Sequence, residues 1–163
     1  MCGQGLIRAE VEGRERLRCQ SCPFVLYENP ACAAAAVVLD ELRRVLLIRR
    51  AIEPFRGQWA LPAGYQEVDE HPTETAMREV REETGAEIEV VELLDLLFIP
   101  EDHRKPANLA VYLCRYVRGG LQPGYDAAEA AWFDLQALPE DLGFDNGPRI
   151  LFDLRDGDRL TSW

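Results

Sequence analysis

The sequence predicts an α/β domain preceded by a small cysteine-bearing module, on three observations. Apolar runs of strand length recur along most of the chain, and a segment of helical periodicity at 73–84 interrupts them. The 163 residues, 47% apolar and 29% charged, suffice for one domain with a sizeable core and a small appendage. The first 29 residues are polar and turn-rich, and carry three of the five cysteines. Glu28-Asn29-Pro30 marks the boundary, because a residue before proline is driven to extended geometry. The expected organisation is therefore a module at 1–29 and a larger domain at 30–163.

The elements follow in order. Ala33 to Leu39 is an uninterrupted apolar run and reads as a buried strand. Asp40 to Arg44 is a turn, and Val45 to Ile48 the partner strand. Ala51 to Tyr65, with Pro54, Gly57, Pro62 and Gly64, reads as irregular. The helix at Thr73–Thr84 has Pro72 at its entrance and Gly85 just past its end, the usual asymmetry of helix termini. Glu87–Leu97 and Ala110–Val117 read as strands flanking a polar loop at Pro100–Asn108. Ala131–Phe133 is a short strand, and Gly147–Leu154 a closing helix. Trp59, Phe98, Tyr112 and Cys32 are expected in the core, while His71 and His103 are assigned neither metal nor catalysis.

Composition excludes several classes. The longest apolar run has 9 residues, Ala31 to Leu39, whereas a membrane helix needs about 20. No basic start leads into an apolar stretch, so no secretory leader is expected. The net charge of −11 argues against a broad nucleic-acid surface. Glu67 to Glu89 holds nine acidic and two basic residues, a net of −7, whereas the first 30 residues are neutral with four of each sign. Five cysteines (Cys2, Cys19, Cys22, Cys32, Cys114) are an odd count, which fits a reducing, cytoplasmic setting better than a disulfide framework. Cys19-Gln20-Ser21-Cys22 with Cys2 offers three thiols toward a zinc ion, one short of a structural tetrahedron. A knuckle without metal is the alternative.

The helix at 73–84 concentrates the chemistry. On a wheel of about 100° per residue, Glu79, Glu82 and Glu83 share one arc of about 100°, and Ala76, Met77, Val80 and Thr84 occupy the next. Arg78 falls four residues before Glu82 and can pair with it. Like charges on one face cost a few tenths of a kcal/mol per pair, roughly, unless a cation neutralises them. Carboxylate oxygens are what Mg²⁺ accepts, but a solvated acidic face remains the alternative on the wheel alone.

The wider spacing is more specific. Gly64, Glu70, Arg78-Glu79-Val80, Glu82-Glu83 and Gly85 fall at the intervals of the 23-residue Nudix box, and the segment resembles that signature of the Nudix hydrolase family. Only the last position departs, with Ala86 in place of a bulky aliphatic residue. Further likeness lies in Tyr27-Glu28-Asn29-Pro30, Gly57–Tyr65 and Glu129–Phe133, which are similar to a subgroup carrying an N-terminal zinc ribbon. Its members are pyrophosphatases acting on FAD, ADP-ribose or NADH. The chain lacks one ribbon cysteine and the Gln-Pro-Trp-Pro-Phe-Pro run of NADH pyrophosphatases, and has Pro100 beyond the box, reminiscent of ADP-ribose pyrophosphatases.

The resemblance implies an α/β/α sandwich around a mixed sheet and an enzyme that splits a nucleoside diphosphate linked to another moiety. It implies Mg²⁺ or Mn²⁺ on Glu79, Glu82, Glu83 and the Gly64 carbonyl, with Arg78 holding the carboxylates and Glu70 orienting Arg78 or binding metal through water. The proton acceptor is open among Glu79, Glu101 and Glu129. Arg50, Arg56, Tyr65 and Glu129 are candidate substrate contacts, with at most one of Arg49 and Arg50 facing the diphosphate because they alternate on a strand. The implied partner is a small nucleotide, with no nucleic acid or membrane, and a homodimer is compatible. The alternatives are a nucleotide-sensing domain without catalysis and a nucleoside triphosphate pyrophosphohydrolase.

Overall fold

The computed structural model describes residues 2–100 and 105–157, with Asn146 by its backbone alone. Glu101 and His103 therefore lie outside the described residues. The chain divides into two compact units, Met1–Pro30 and Ala31–Trp163.

The first unit is a three-stranded antiparallel sheet of β1 (Leu6–Val11), β2 (Arg14–Cys19) and β3 (Val25–Leu26). The sequence reading expected a small turn-rich knuckle module here and assigned it no strands. Glu12 and Gly13 both take positive φ, at 53° and 74°, and join Val11 to Arg14 as a two-residue hairpin turn. Arg8 pairs with Glu15 across the strands at 2.6 Å.

In the second unit the chain forms β4 (Ala31–Leu39), β5 (Arg44–Arg50), β6 (Trp59–Ala60), β7 (Ala63–Tyr65), α1 (Pro72–Thr84), β8 (Glu87–Ile99), β9 (Ala107–Arg118), β10 (Ala127–Asp134) and α2 (Asn146–Asp156). The sheet runs β10-β5-β4-β9-β8, with β6 on β5 and β7 on β4. Its β4–β9 pair is parallel, Ala31 opposite Ala107 through Leu39 opposite Arg115, and the others are antiparallel. The stretch at 51–65, read as irregular, thus contains two short strands.

Alternation along β4 divides the core between two faces. Ala34, Ala36 and Val38 pack with Ala76 and Val80 of α1. Ala35, Val37 and Leu39 pack with Leu151 and Leu154 of α2. A mixed sheet between two helical layers is the sandwich that the sequence led us to expect. Ala86 is fully buried on the α1 side, so the departure from the box motif is one of packing.

Capping fixes where α1 begins and ends. His71 accepts the Thr73 N–H, and Glu74 accepts the His71 N–H at 2.6 Å. Gly85 ends the helix at φ 74°, a conformation that favours glycine. A role for His71 was not anticipated, although a polar residue before proline with glutamate three positions later is a legible cap.

Two core expectations fail. Cys32 is exposed, two residues before Ala34, where the continuous buried run of β4 starts. Phe98 is 59% exposed because β8 is the sheet edge and Phe98 points to the side that α1 leaves uncovered. Trp59 and Tyr112 are buried as expected, Trp59 edge-on to Phe133 at 4.8 Å. Among the described residues no helix is long and apolar enough to cross a membrane.

Candidate active site

The third turn of α1 presents Arg78, Glu79, Glu82 and Glu83, and the short strand β7 faces it. Glu83 is only 1% exposed. Its Oε2 accepts the Ala63 N–H at 3.1 Å, while Oε1 is buried with no hydrogen-bond partner. Burial pushes this carboxyl up to about 9, and the neighbouring charges of Asp126 and Glu79 add to the rise. The Ala63 N–H and Arg50 pull in the opposite direction but do not prevail. Glu79 is raised too, chiefly by burial, against the lowering effect of Arg78.

Arg78 organises the remaining carboxylates. Its Nε and Nη2 donate to the two oxygens of Glu70 at 2.6 and 3.0 Å. Nη1 donates to Glu79 Oε1 at 2.6 Å and Glu82 Oε2 at 3.2 Å, and Nη2 also reaches the Tyr65 carbonyl at 2.9 Å. This bidentate partner holds Glu70 down at about 2, despite the cost of burial. The expected i,i+4 pair of Arg78 and Glu82 is present, and Glu70 pairs with Arg78. Arg78 occupies one oxygen of Glu79 and one of Glu82, so these two carboxylates are tied to the helix and not gathered onto Glu83.

Gly64 makes room for the site. A Cβ on this residue would stand 2.1 Å from Glu79 Oε1, so the glycine is what lets the carboxylate lie against β7. The buried, partnerless Glu83 Oε1, the cradle above Gly64 and an all-oxygen donor set fit a hard divalent cation. A buried carboxylate oxygen without a donor is otherwise costly.

Beside the carboxylates is a cavity of about 210 Å³, lined by Arg50, Gly64, Tyr65, Ile99, Asp126 and Phe144 among others. Arg50 is the one of the arginine pair that reaches it. The Arg50 Nε donates to the Pro54 carbonyl at 2.6 Å, and its guanidinium lies 5.1 Å from the Phe144 ring centre. Arg49 turns away, donating to the Gly57 carbonyl at 2.7 Å and to Glu129 at 3.0 Å. The structure does not bring Glu129 or Arg56 to the cavity lining, and both are exposed. Asp126 was missed by the sequence reading. It lies far along the chain from the box, and an isolated acidic residue after Gly-Tyr carries no signal of its own.

In the N-terminal unit the thiol sulfurs of Cys2, Cys19 and Cys22 all lie within 4.8 Å of one another, with Cys2 and Cys19 at 3.4 Å. The Ser21 N–H, then the Cys2 thiol, draws the Cys19 thiol down to about 7. Among the described residues it is the only trio of histidine, cysteine or carboxylate ligands gathered this closely.

Comparison with known proteins places this architecture. A NUDIX domain profile matches residues 30–154. The ADP-ribose pyrophosphatase of Methanocaldococcus jannaschii is 38% identical over 124 residues, 76% of this chain and 72% of that one. The NAD-capped RNA hydrolase NudC of Pseudomonas aeruginosa is 30% identical over 140 residues, 85% of this chain and 49% of that one. The chain likewise spans only 33% and 45% of two further curated relatives. The crystal structure of a NUDIX hydrolase from Nitrosomonas europaea superposes with a TM-score of 0.84 at 29% identity, covering 96% of this chain and 90% of that one. The chain belongs to the NUDIX hydrolase family and is a Nudix pyrophosphohydrolase.

Proposed function

We propose that this chain hydrolyses the diphosphate bond of a nucleoside diphosphate linked to a second moiety, with ADP-ribose or FAD as favoured substrates and AMP plus the phosphorylated moiety as products. Mg²⁺ or Mn²⁺ would be held by Glu79, Glu82, Glu83 and the Gly64 carbonyl. One observation carries the reading: the buried Glu83 carboxylate, short of a partner at Oε1, accepts the N–H of Ala63, and Ala63 lines a cavity large enough to take part of a nucleotide. A bound divalent cation supplies Lewis acidity toward the diphosphate and a more acidic water.

The protein's own residues do the rest. Arg78 fixes Glu79 and Glu82 on the helix, and Glu70 fixes Arg78. Arg50 offers positive charge to a diphosphate at the cavity wall, and Phe144 offers a flat apolar face. Similarity to the archaeal ADP-ribose pyrophosphatase supports the substrate class. For the N-terminal unit, the three gathered thiols support a zinc site that is weaker than a four-thiolate one.

Product analysis by mass after incubation with Mg²⁺ tests the main reading. AMP released from ADP-ribose or FAD is the expected result. Binding of these nucleotides with no cleavage would replace it with a sensing role.

A further inference from the structure

The loop from β5 to β6 closes on Arg50. The Arg50 N–H donates to the Gln58 carbonyl at 2.9 Å, and the Arg50 carbonyl accepts the Gly57 N–H at 2.9 Å. The side chain is tied to the same loop, because its Nε donates to the Pro54 carbonyl at 2.6 Å. A second segment runs along β6. The Trp59 N–H donates to the Asp141 carbonyl at 2.9 Å, and the Gly143 N–H to the Trp59 carbonyl at 2.7 Å. This segment delivers Phe144, whose ring centre lies 5.1 Å from the Arg50 guanidinium.

Phe55 joins the loop to the segment. Its ring centre is 4.5 Å from that of Phe144, and its Cβ lies 3.0 Å from where a Cβ on Gly143 would stand. Gly143 is not in the left-handed region, so this glycine serves to admit Phe55. Phe55 and Phe144 themselves take φ of 63° and 62°, a conformation that costs a bulky residue free energy and suits glycine. Burial alone does not account for the ring, since Phe55 remains 41% exposed. Arg50, Pro54, Gly143 and Phe144 line the cavity, whereas Phe55 is outside the lining and packs on residues that form it. The charge of Arg50 bears on Glu83, so this wall communicates with the carboxylate end of the site.

We propose that Phe55 is a positioning residue for substrate binding: it wedges the β5–β6 loop against Gly143 and Phe144, and so sets where the Arg50 guanidinium meets a diphosphate. The proposal rests on the reading of Arg50 given above. Without the ring, the Pro54 carbonyl and the Phe144 ring are no longer held at a fixed separation. The guanidinium then gains freedom that binding must remove. Glu79, Glu82 and Glu83 keep their own supports in Arg78 and the Ala63 N–H, so the loss falls on binding and spares the chemical step.

A double-mutant cycle, read as KM and kcat for ADP-ribose with Mg²⁺ and accompanied by melting curves, tests it. Phe55→Leu is expected to raise KM about fivefold or more, the scale of one side chain left to be immobilised on binding. Its kcat should stay within about twofold of the wild type, as loss of uniform binding requires. Phe55→Tyr keeps the ring and should restore the wild-type KM. Phe55→Gly relieves the left-handed backbone but has no ring, and should raise KM as Phe55→Leu does. Arg50→Ala should raise KM at least as much, and adding Phe55→Leu to it should change KM little further. Phe152→Leu, an aromatic change on α2 outside the cavity lining, should leave both constants alone. A wild-type KM in Phe55→Leu, with a raised one in Arg50→Ala, overturns this proposal alone. Fully additive effects of the two changes give Phe55 a role independent of Arg50 and also overturn it. A wild-type KM in Arg50→Ala, or no cleavage of ADP-ribose by the wild type, overturns the substrate reading and this proposal with it.

Discussion

Glu79 lies over Gly64 so closely that Oε1 is 2.1 Å from where a Cβ would stand. The contact joins the first residue of the box to one at its helical centre, and gives the spacing between them a physical meaning. Gly64 needs no left-handed backbone, because its φ is not in that region. The glycine is there for space alone. Gly64→Ala should therefore fold, since the obstacle is the end of a flexible side chain. Glu79 should be driven off β7, and turnover should fall about tenfold or more with a higher Mg²⁺ requirement. Kinetics across a Mg²⁺ series, with a melting curve for stability, checks both halves.

Glu83→Gln should reduce turnover at least about a hundredfold, because a ligand lost from a catalytic cation costs several kcal/mol of stabilisation. The cation-free protein should respond in the opposite direction. Folding raises the Glu83 carboxyl from its ordinary value to about 9. The native state then binds the extra proton, so stability is fully present below the ordinary carboxylate range and is lost as pH rises toward about 9. In chelator, the melting temperature should fall between pH 5 and pH 9, and the Gln variant should lose most of that slope. Equal slopes in the two proteins would count against the burial of a charged Glu83 as its cause.

Glu70 has the opposite linkage. Arg78 holds it at about 2, so its contribution is present above the ordinary carboxylate range and disappears as pH falls toward that value. Glu70→Gln should cost about 2 kcal/mol at pH 7, the scale of a charge-assisted hydrogen-bond pair. The gap to the wild type should narrow by pH 3. Urea unfolding at both values measures it. Turnover should fall as well, because Arg78 loses the partner that aims it at Glu79 and Glu82.

The three N-terminal thiols should hold about one zinc ion, and mild chelation should remove it, because the fourth thiolate of a closed site is missing. Elemental analysis before and after chelator is the measurement. A full equivalent that resists chelator would require a fourth ligand beyond Cys2, Cys19 and Cys22.

Much of the site was legible because it is local. The interval from Gly64 to Gly85 fixes which residues share a helix face, and i,i+4 geometry alone pairs Arg78 with Glu82. The wheel favoured Glu83 as the centre of the carboxylate arc but gave no sign that it alone of the three is fully buried. Glu83 is also the nearest of them to the arc of Ala76 and Val80, and only the packed sheet shows that this side is inside. Asp126 was illegible for a different reason: two strands and a loop intervene, and no periodicity links it to α1. Phe98 misled because β8 is the edge strand of the sheet, and an apolar strand does not announce in its sequence that one side will stay uncovered. The three strands of the N-terminal unit hid behind charged residues that pair across a small exposed sheet, as Arg8 and Glu15 do.

Substrate preference is the prediction that reaches furthest from the helix. The carboxylates of α1 call for a diphosphate, since a single phosphate ester offers a cation half the grip. The cavity beside them is bounded by the 51–65 stretch and by Ile99 and Phe144, so it extends past the phosphates. Phe144 is backed by Phe55 at 4.5 Å and by the Arg50 guanidinium, and this fixes its ring as a surface on which a flat base or flavin can stack. A bare triphosphate uses the carboxylates and neglects that surface, whereas ADP-ribose and FAD use both. Catalytic efficiency on ADP-ribose or FAD should therefore exceed that on a deoxynucleoside triphosphate by about tenfold or more, with NADH below both. Phe144→Ala should narrow that margin by lowering efficiency on ADP-ribose or FAD more than on the triphosphate. Steady-state rates on the four substrates, for the wild type and this variant, decide the matter. A wild-type preference for the triphosphate with pyrophosphate as product would reassign the cavity, and would leave the roles of Glu79, Glu82 and Glu83 as they are.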